Sequence, residues 1–168
     1  MDFINVKKRN ILRFGIKDEN GNEKKDENGN LVVLEFDLED IELPLKYNKC
    51  EFLVRKAQED LKWKYIIIDK KQDVNDKKML LSKNEEEKVK AMKQYYKDME
   101  VAMDLFLGEG GVQKLFGDKR YYEMFDDLAE MLEPILPKLK INMDAITEKV
   151  KNKYKEKDKD VLSDEELS

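Results

Sequence analysis

The feature that most constrains the fold is the segment FLGEGGVQKLFG, residues 106–117, which lies between two stretches with a helical apolar period. Three of the seven glycines of the chain (Gly108, Gly110 and Gly111) fall within four residues of this segment. Gly117 closes the short apolar turn that follows. Glycine at this density ends a helix, because each one lacks a Cβ and multiplies the backbone states that folding must give up. The chain must therefore turn back here, so that the apolar faces of the flanking helices can meet.

Composition limits the kinds of partner. Charged residues make up 42% of the 168 residues and hydrophobic ones 40%, which suits one domain with a densely charged surface. The net charge is −5, and few of the 33 basic residues are arginines, so a phosphate-binding face is disfavoured. The longest uninterrupted aliphatic run is Leu31–Leu34, far short of a membrane span. We expect neither a nucleic acid nor a membrane as a partner.

The residue inventory is unfavourable for catalysis. The chain has no histidine, and its only threonine is Thr147. A Ser–His–Asp or Cys–His site and imidazole-ligated zinc are therefore excluded, although a carboxylate-only site stays open. Cys50 is alone, which excludes an intrachain disulfide and suits a reducing cytoplasm; we expect it to be a buried small hydrophobe. We predict a protein that is not an enzyme, with no catalytic residue, cofactor or metal.

Residues 1–43 have the composition of strands. A run rich in β-branched and aromatic residues, 31–36, follows two copies of DENGN at 18–22 and 26–30. Asn-Gly is the strongest short-range hairpin signal, so we expect one copy to close a β-hairpin and the other to extend or bulge it. A calcium loop fails, because the glycine stands fourth instead of sixth and the twelfth position is Gly29 instead of a glutamate.

A helical period begins at Pro44, which suits an opening helical turn. After a polar connection at 69–83, Ser82 and Glu85 fit a capping box that starts a long second helix. The apolar positions of that helix recur at alternating spacings of three and four: Val89, Met92, Tyr96, Met99, Met103 and Phe106. This stripe predicts packing within its own domain in preference to a coiled coil, and its methionines would also suit an adaptable binding surface.

Further helices are expected after the glycine segment. Asp118 can cap the first of them, and Pro134 and Pro137 should kink or end it because proline lacks the backbone donor. Asn142 can cap a last helix.

The predicted fold class is α+β, mainly α. An N-terminal β-hairpin region, 1–43, precedes a helical domain of about four helices, 44–154, and a charged flexible tail, 155–168. The tail mixes both signs of charge and ends acidic, which is typical of a frayed helix end or a solvated segment. A docking peptide around Val161 and Leu162 is the alternative for it.

Three patterns with a chemical interpretation have a plainer one. GEGG lacks the order of a phosphate-binding loop, so a connection between helices is favoured. Trp63 and Tyr65 suit core packing or a protein interface better than base stacking. Four acidic side chains could suggest an acid–base pair or a magnesium site, but in a chain with 38 acidic residues a solvated helix face is favoured: Asp126, Asp127, Glu130 and Glu133.

The glycine segment and its flanking helices resemble the tail assembly chaperones of long-tailed bacteriophages and prophages of Gram-positive bacteria. In that family a helix runs into a turn of the kind FLG-(E/K)-G-x-x-x-K-(I/L)-FG, followed by a helix of the kind D-L-x-E-x-L. The matching positions here are Phe106, Leu107, Gly108, Gly110, Lys114, Leu115, Phe116, Gly117, Asp127, Leu128, Glu130 and Leu132. The resemblance covers about residues 85–140.

The resemblance implies a non-enzymatic chaperone in the cytoplasm of the infected bacterium, absent from the mature virion. Such a protein binds the tape-measure protein and helps to recruit tail-tube subunits, and homo-oligomers would suit a protein that coats a long client. The alternative function is a structural virion component, a tail-completion or connector protein, because a hairpin arm can add a strand to a neighbour in a ring.

Apolar residues around the glycine segment are the candidates for partner binding, because exposed apolar grooves bind amphipathic helices. The candidates are Met99, Met103, Phe106, Leu107, Val112, Leu115 and Phe116. The same residues could equally form the core of the domain, and the sequence leaves both roles open.

Overall fold

Two strands and five helices follow one another in a computed structural model that describes the backbone of residues 1–7 and 9–166 and the side chains of 1–7 and 9–155. The elements are β1 (Ile11–Gly15), β2 (Val33–Asp37), α1 (Leu43–Asp69), α2 (Lys83–Leu107), α3 (Gly111–Phe116), α4 (Met124–Leu132) and α5 (Ile135–Glu166). The predicted α+β, mainly α class with an N-terminal hairpin is confirmed.

The N-terminal hairpin pairs β1 with β2 in antiparallel register, with Phe14 opposite Leu34 and Leu12 opposite Phe36. Leu34 and Phe36 are buried against the helices, whereas β1 is largely exposed. Such alternation in β2 is what a sheet with one covered face requires.

Both DENGN copies form turns, and they do so with the same hydrogen bonds. Asp18 Oδ1 accepts the backbone N–H groups of Asn20 and Asn22, each at 2.9 Å. Asp26 Oδ1 accepts those of the corresponding residues of the second copy, also at 2.9 Å. These are Asx-type turns, in which the carboxylate substitutes for a backbone acceptor.

The two turns are joined where three backbone segments meet. Ile16 N–H donates to Val32 O at 3.2 Å, Val32 N–H to Lys24 O at 2.9 Å, and Lys24 N–H to Ile16 O at 2.8 Å. The three residues thus close a ring of hydrogen bonds at the end of the sheet. The second copy does more than bulge the hairpin, because it forms a complete turn of its own.

The helices α1 and α2 form a long antiparallel pair. The ring of Tyr47 near the start of α1 packs on Phe106 near the end of α2, and Asp69 at the end of α1 pairs with Lys88 near the start of α2 at 2.5 Å. The expected starts are confirmed, since α1 has proline in its first turn and Ser82 forms the capping box with Glu85.

Two predicted helix caps are wrong. Helix α4 begins at Met124 instead of after Asp118, whose carboxylate accepts the Gln113 side-chain amide at 2.8 Å. Asn142 lies inside α5, where its side-chain amide donates to the backbone oxygen of Leu38. A new helix can begin at Ile135 because Pro137 falls in the first turn of α5, where backbone N–H groups have no acceptor within the helix.

The backbone of α5 continues to Glu166 and so includes most of the segment that the sequence assigns to a charged tail. The side chains after Lys155 lie outside the described residues. The predicted docking peptide around Val161 and Leu162 falls among them and stays a prediction.

The core lies at one end of the helical pair. We call this end the body: it contains the sheet, the first half of α1, the second half of α2, and α3, α4 and the start of α5. The other end, residues 58–90, we call the arm. In the arm only Ile68, Ser82 and Asn84 are buried.

Candidate partner-binding groove

The structure separates the seven predicted partner-binding residues into two groups. Five are buried, with at most 6% of their surface exposed, and they belong to the core: Met99, Met103, Phe106, Leu107 and Val112. Leu115 and Phe116 are half-buried and pack at its edge. Of the two roles that the sequence leaves open, the five buried side chains have the core role in this conformation.

Phe106 illustrates why the stripe of α2 is covered. Its ring lies 5.3 Å from the ring of Phe36 in β2 and 5.4 Å from that of Tyr47 in α1. The sheet and α1 therefore enclose it from two sides. Aromatic rings at such separations add to the energy of burial.

The glycine segment brings α3 back against the end of α2. Gly108 ends α2 with φ +96°, a conformation that favours glycine. A Cβ at Gly111 would overlap the Cβ of Leu107, so glycine is also needed for close approach. Asp104 Oδ1 accepts the N–H of Val112 at 2.9 Å, which satisfies a free donor at the start of α3.

Arg120 fixes the segment that follows α3, and sequence reasoning assigns it no role. Its guanidinium donates to the backbone oxygen of Gly117 at 2.8 Å and to a carboxylate oxygen of Glu100 at 2.7 Å. Both charged side chains are about one quarter exposed, so their interaction is less screened than a surface pair. The signal in the sequence is weak: a rare arginine shortly after Gly117.

An open groove of about 1110 Å³ lies between the sheet, α3 and the α4–α5 segment. Its floor consists of buried apolar residues: Ile16, Leu34, Phe36, Leu128, Leu132 and Ile135. Its walls are partly exposed and include aromatic and flexible side chains: Phe14, Leu115, Phe116, Tyr121 and Met131. Two of the seven predicted partner-binding residues, Leu115 and Phe116, thus line this groove.

The rim of the groove carries charges of both signs. Lys24 donates to the backbone oxygen of Lys114 at 2.7 Å, and Lys119 pairs with Glu19. The first contact joins the segment between the DENGN turns to α3, and the second joins the first DENGN turn to the loop after α3. They connect the two walls of the groove.

The acidic side chains on and just after α4 face solvent. Asp126, Asp127, Glu130 and Glu133 are exposed, as the solvated-face interpretation predicts. Asp127 accepts a hydrogen bond from the Tyr121 hydroxyl at 3.3 Å; burial and this carboxylate raise the pKa of Tyr121. Among the described residues no group of three or more His, Cys, Asp or Glu side chains is placed to hold a metal ion.

Cys50 is buried, as predicted, and its Sγ lies 3.7 Å from Met103 Sδ. Burial, assisted by the nearby Glu51 carboxylate, raises the pKa of the thiol to about 11. A thiol with so little thiolate is a poor nucleophile at neutral pH, so Cys50 belongs to the core.

No helix in the described part of the chain combines the length and apolarity that crossing a membrane requires. Comparison of the chain with protein-family models, curated proteins and solved structures finds no match. Its function has to be inferred from its residues and its groove.

Proposed function

We propose that the chain is a non-enzymatic phage tail assembly chaperone that binds the tape-measure protein and helps to recruit tail-tube subunits. The observation that carries the proposal is the open apolar groove, because Leu115 and Phe116 of the resembling segment form part of its wall. As a chaperone it acts in the host cytoplasm and is absent from the mature virion.

The size and lining of the groove support a macromolecular partner. Its volume of about 1110 Å³ exceeds the usual range for small-molecule pockets, about 300–1,000 Å³. An amphipathic helix places apolar side chains at intervals of three and four residues into such a groove. Met131, half exposed on one wall, can adapt to different side chains because its thioether chain is flexible.

The charges around the groove suit a chaperone that must release its client. The groove is lined by both lysines and carboxylates, so it does not select a client by one sign of charge. The partly exposed apolar side chains of the walls supply non-directional attraction, and the net charge of −5 favours solubility.

Co-expression with the tape-measure protein tests the proposal. The wild type should keep this client soluble and co-purify with it, whereas Met131→Lys should lose most of the complex because a charge enters the apolar wall. Leu80→Lys is the matched control, since Leu80 is almost fully exposed in the arm, away from the groove. An insoluble client with the wild type, or full binding by Met131→Lys, would refute the proposal.

The alternative function is a structural virion component, favoured by the outer edge of β1, which pairs with no further strand in the described part of the chain. Backbone hydrogen bonds join Asn10 to Leu38 and Ile16 to Val32. Hydrogen-bonded and non-hydrogen-bonded pairs alternate along an antiparallel ladder, so the backbone N–H and C=O groups of Ile11, Arg13 and Gly15 point away from β2. A neighbouring subunit could add a strand there. Mass spectrometry of purified particles separates the two functions: a structural component is present in stoichiometric amounts, and a chaperone is absent.

A further inference from the structure

Helix α1 has two apolar faces, and only one of them is covered. The covered face packs on α2 and on the sheet through buried residues: Leu43, Cys50, Ala57 and Ile68. On the opposite face four large apolar side chains are 55–69% exposed: Leu45, Phe52, Trp63 and Ile67. Large apolar side chains repeated along an open helix face are typical of an interaction surface.

The exposed face has the spacing of a helix seam. Between Leu45 and Trp63 its positions follow in steps of four, three, four, three and four residues, which keeps them on one side of an α-helix. We call these positions the α1 stripe: Leu45, Lys49, Phe52, Lys56, Glu59 and Trp63. At 1.5 Å per residue the stripe is about 27 Å long.

The three charged members of the α1 stripe have no ion-pair partner within the described part of the chain. Lys49, Lys56 and Glu59 are all exposed, whereas the neighbouring Arg55 pairs with Glu51 at 2.9 Å. Charges placed on an apolar seam commonly specify which helix pairs with it and in which direction.

The residues of the stripe are complementary to the same stripe running in the opposite direction. If two copies of α1 pack antiparallel about a two-fold axis at the level of Val54, positions equally distant from Val54 lie opposite each other. Leu45 then faces Trp63, and Lys49 faces Glu59. Phe52 faces Lys56, a pairing that allows a cation–π contact. Every member of the stripe has a suitable partner in this register.

A parallel arrangement lacks this complementarity. It would place each of Lys49, Lys56 and Glu59 opposite its own copy, so that like charges meet at three levels of the seam. Like charges opposite each other destabilise a helix pair. Charge therefore selects the antiparallel arrangement.

We propose that the α1 stripe is a self-association surface on which a second copy of this chain packs its own α1 antiparallel, centred at the level of Val54. The interface is isologous, as in most homodimers: each copy contributes the same patch and receives the same patch. It lies on α1 and leaves the groove free, so the dimer presents two grooves. The inference does not depend on the proposed chaperone function.

Sedimentation equilibrium of the full chain tests self-association, from about 1 to 300 μM. We expect a reversible dimer. Phe52→Lys should weaken it at least about 100-fold, because each dimer loses two buried rings and places two lysines opposite Lys56. Leu80→Lys, an exposed change outside the stripe, should leave it unchanged. A wild-type monomer throughout, or a dimer that Phe52→Lys does not weaken, overturns the proposal; the latter result would mean that another surface pairs.

Charge reversal tests the register. Lys49→Glu and Glu59→Lys should each weaken the dimer about tenfold, because both symmetry-related ion pairs become repulsive. The double variant exchanges the two charges and should return the affinity to within about threefold of the wild type. Failure of the double variant to restore the dimer overturns the antiparallel pairing.

Cysteine cross-linking provides an independent test of direction. A mixture of the Leu45→Cys and Trp63→Cys proteins should form a mixed disulfide under mild oxidation. Leu45→Cys alone should not, because its two thiols would be about 27 Å apart. The buried Cys50 does not interfere. Efficient self-cross-linking of Leu45→Cys, which a parallel pair would give, overturns the proposal.

Discussion

At the scale of single residues, Cys50 shows how burial changes chemistry. Its sulfur contacts that of Met103, and the body leaves only 5% of the residue exposed. The thiolate would lose its hydration in this position, which is the main reason that the pKa rises to about 11. The neutral thiol is therefore a stabilising component of the folded state.

The sign of this shift predicts how stability depends on alkaline pH. The pKa of Cys50 is raised from 9.0 to about 11, so its contribution is fully present below pH 9 and is lost as the pH rises towards 11. The urea midpoint of the wild type should fall across this range. Cys50→Ala is the control, and its urea midpoint should fall less than that of the wild type. Burial also raises the pKa of Tyr47, but Tyr47 is present in both proteins and lowers both midpoints in the same direction. Equal falls in the two proteins would contradict the assignment to Cys50.

At the scale of elements, the conformation of the two DENGN turns is determined by interactions within each turn. Identical five-residue sequences adopt identical hydrogen bonds, although the first turn belongs to the groove lining and the second does not. The carboxylate of the first residue organises each turn by accepting two backbone N–H groups. The sequence of the turn therefore determines its conformation.

Hydrogen exchange after single substitutions tests this independence. Asp18→Ala should speed exchange of the Asn20 and Asn22 amides about tenfold and lower the free energy of unfolding by about 1 kcal/mol, because two donors lose their acceptor. Asp26→Ala is the matched control and should affect the amides of Asn28 and Asn30 instead. Loss of protection in both turns from either change would show that they are coupled.

At the scale of the whole molecule, the chain divides into a body with a continuous core and an arm with few buried residues. The end of the arm is held by polar contacts. Asn84, itself buried, donates to the backbone oxygens of Ile68 and Lys71 at 3.2 and 2.9 Å. Asp73 accepts the N–H of Asn84 at 3.0 Å, and this bond holds the pKa of Asp73 below its usual value. The side chain of Asn84, together with the carboxylate of Asp73, thus contributes to fixing the connection between α1 and α2.

Replacing the side chain of Asn84 should destabilise the end of the arm and leave the body intact. Asn84→Ala removes the side-chain donor from the Ile68 and Lys71 carbonyls, although the Ile68 oxygen still accepts the Lys71 N–H at 3.0 Å. We expect a loss of about 1–2 kcal/mol in stability. Amide exchange should accelerate around residues 68–71, while amides of the body keep their protection. Asn75→Ala, an exposed asparagine of the same connection, should change neither quantity by a measurable amount. Uniform acceleration throughout the chain would show that arm and body unfold as one unit.

The sequence by itself determined the elements, because their signals are local. Asn-Gly turns, proline at the start of α1 and the Ser82–Glu85 capping box each act through neighbouring backbone groups. The turn at the glycine segment follows from the same kind of signal. The caps expected at Asp118 and Asn142 failed because such residues have other partners within reach: Gln113 for the first and the backbone of Leu38 for the second.

Only the tertiary structure decided which apolar faces are covered. Periodicity identifies a face on α2, but not that the sheet and α1 enclose Phe106 while Leu115 and Phe116 stay at the edge of a groove. In α1 the covered face and the exposed stripe both carry large apolar side chains, so the presence of such side chains does not tell the two faces apart. Burial depends on contacts between residues far apart in sequence, and these are fixed when the body assembles.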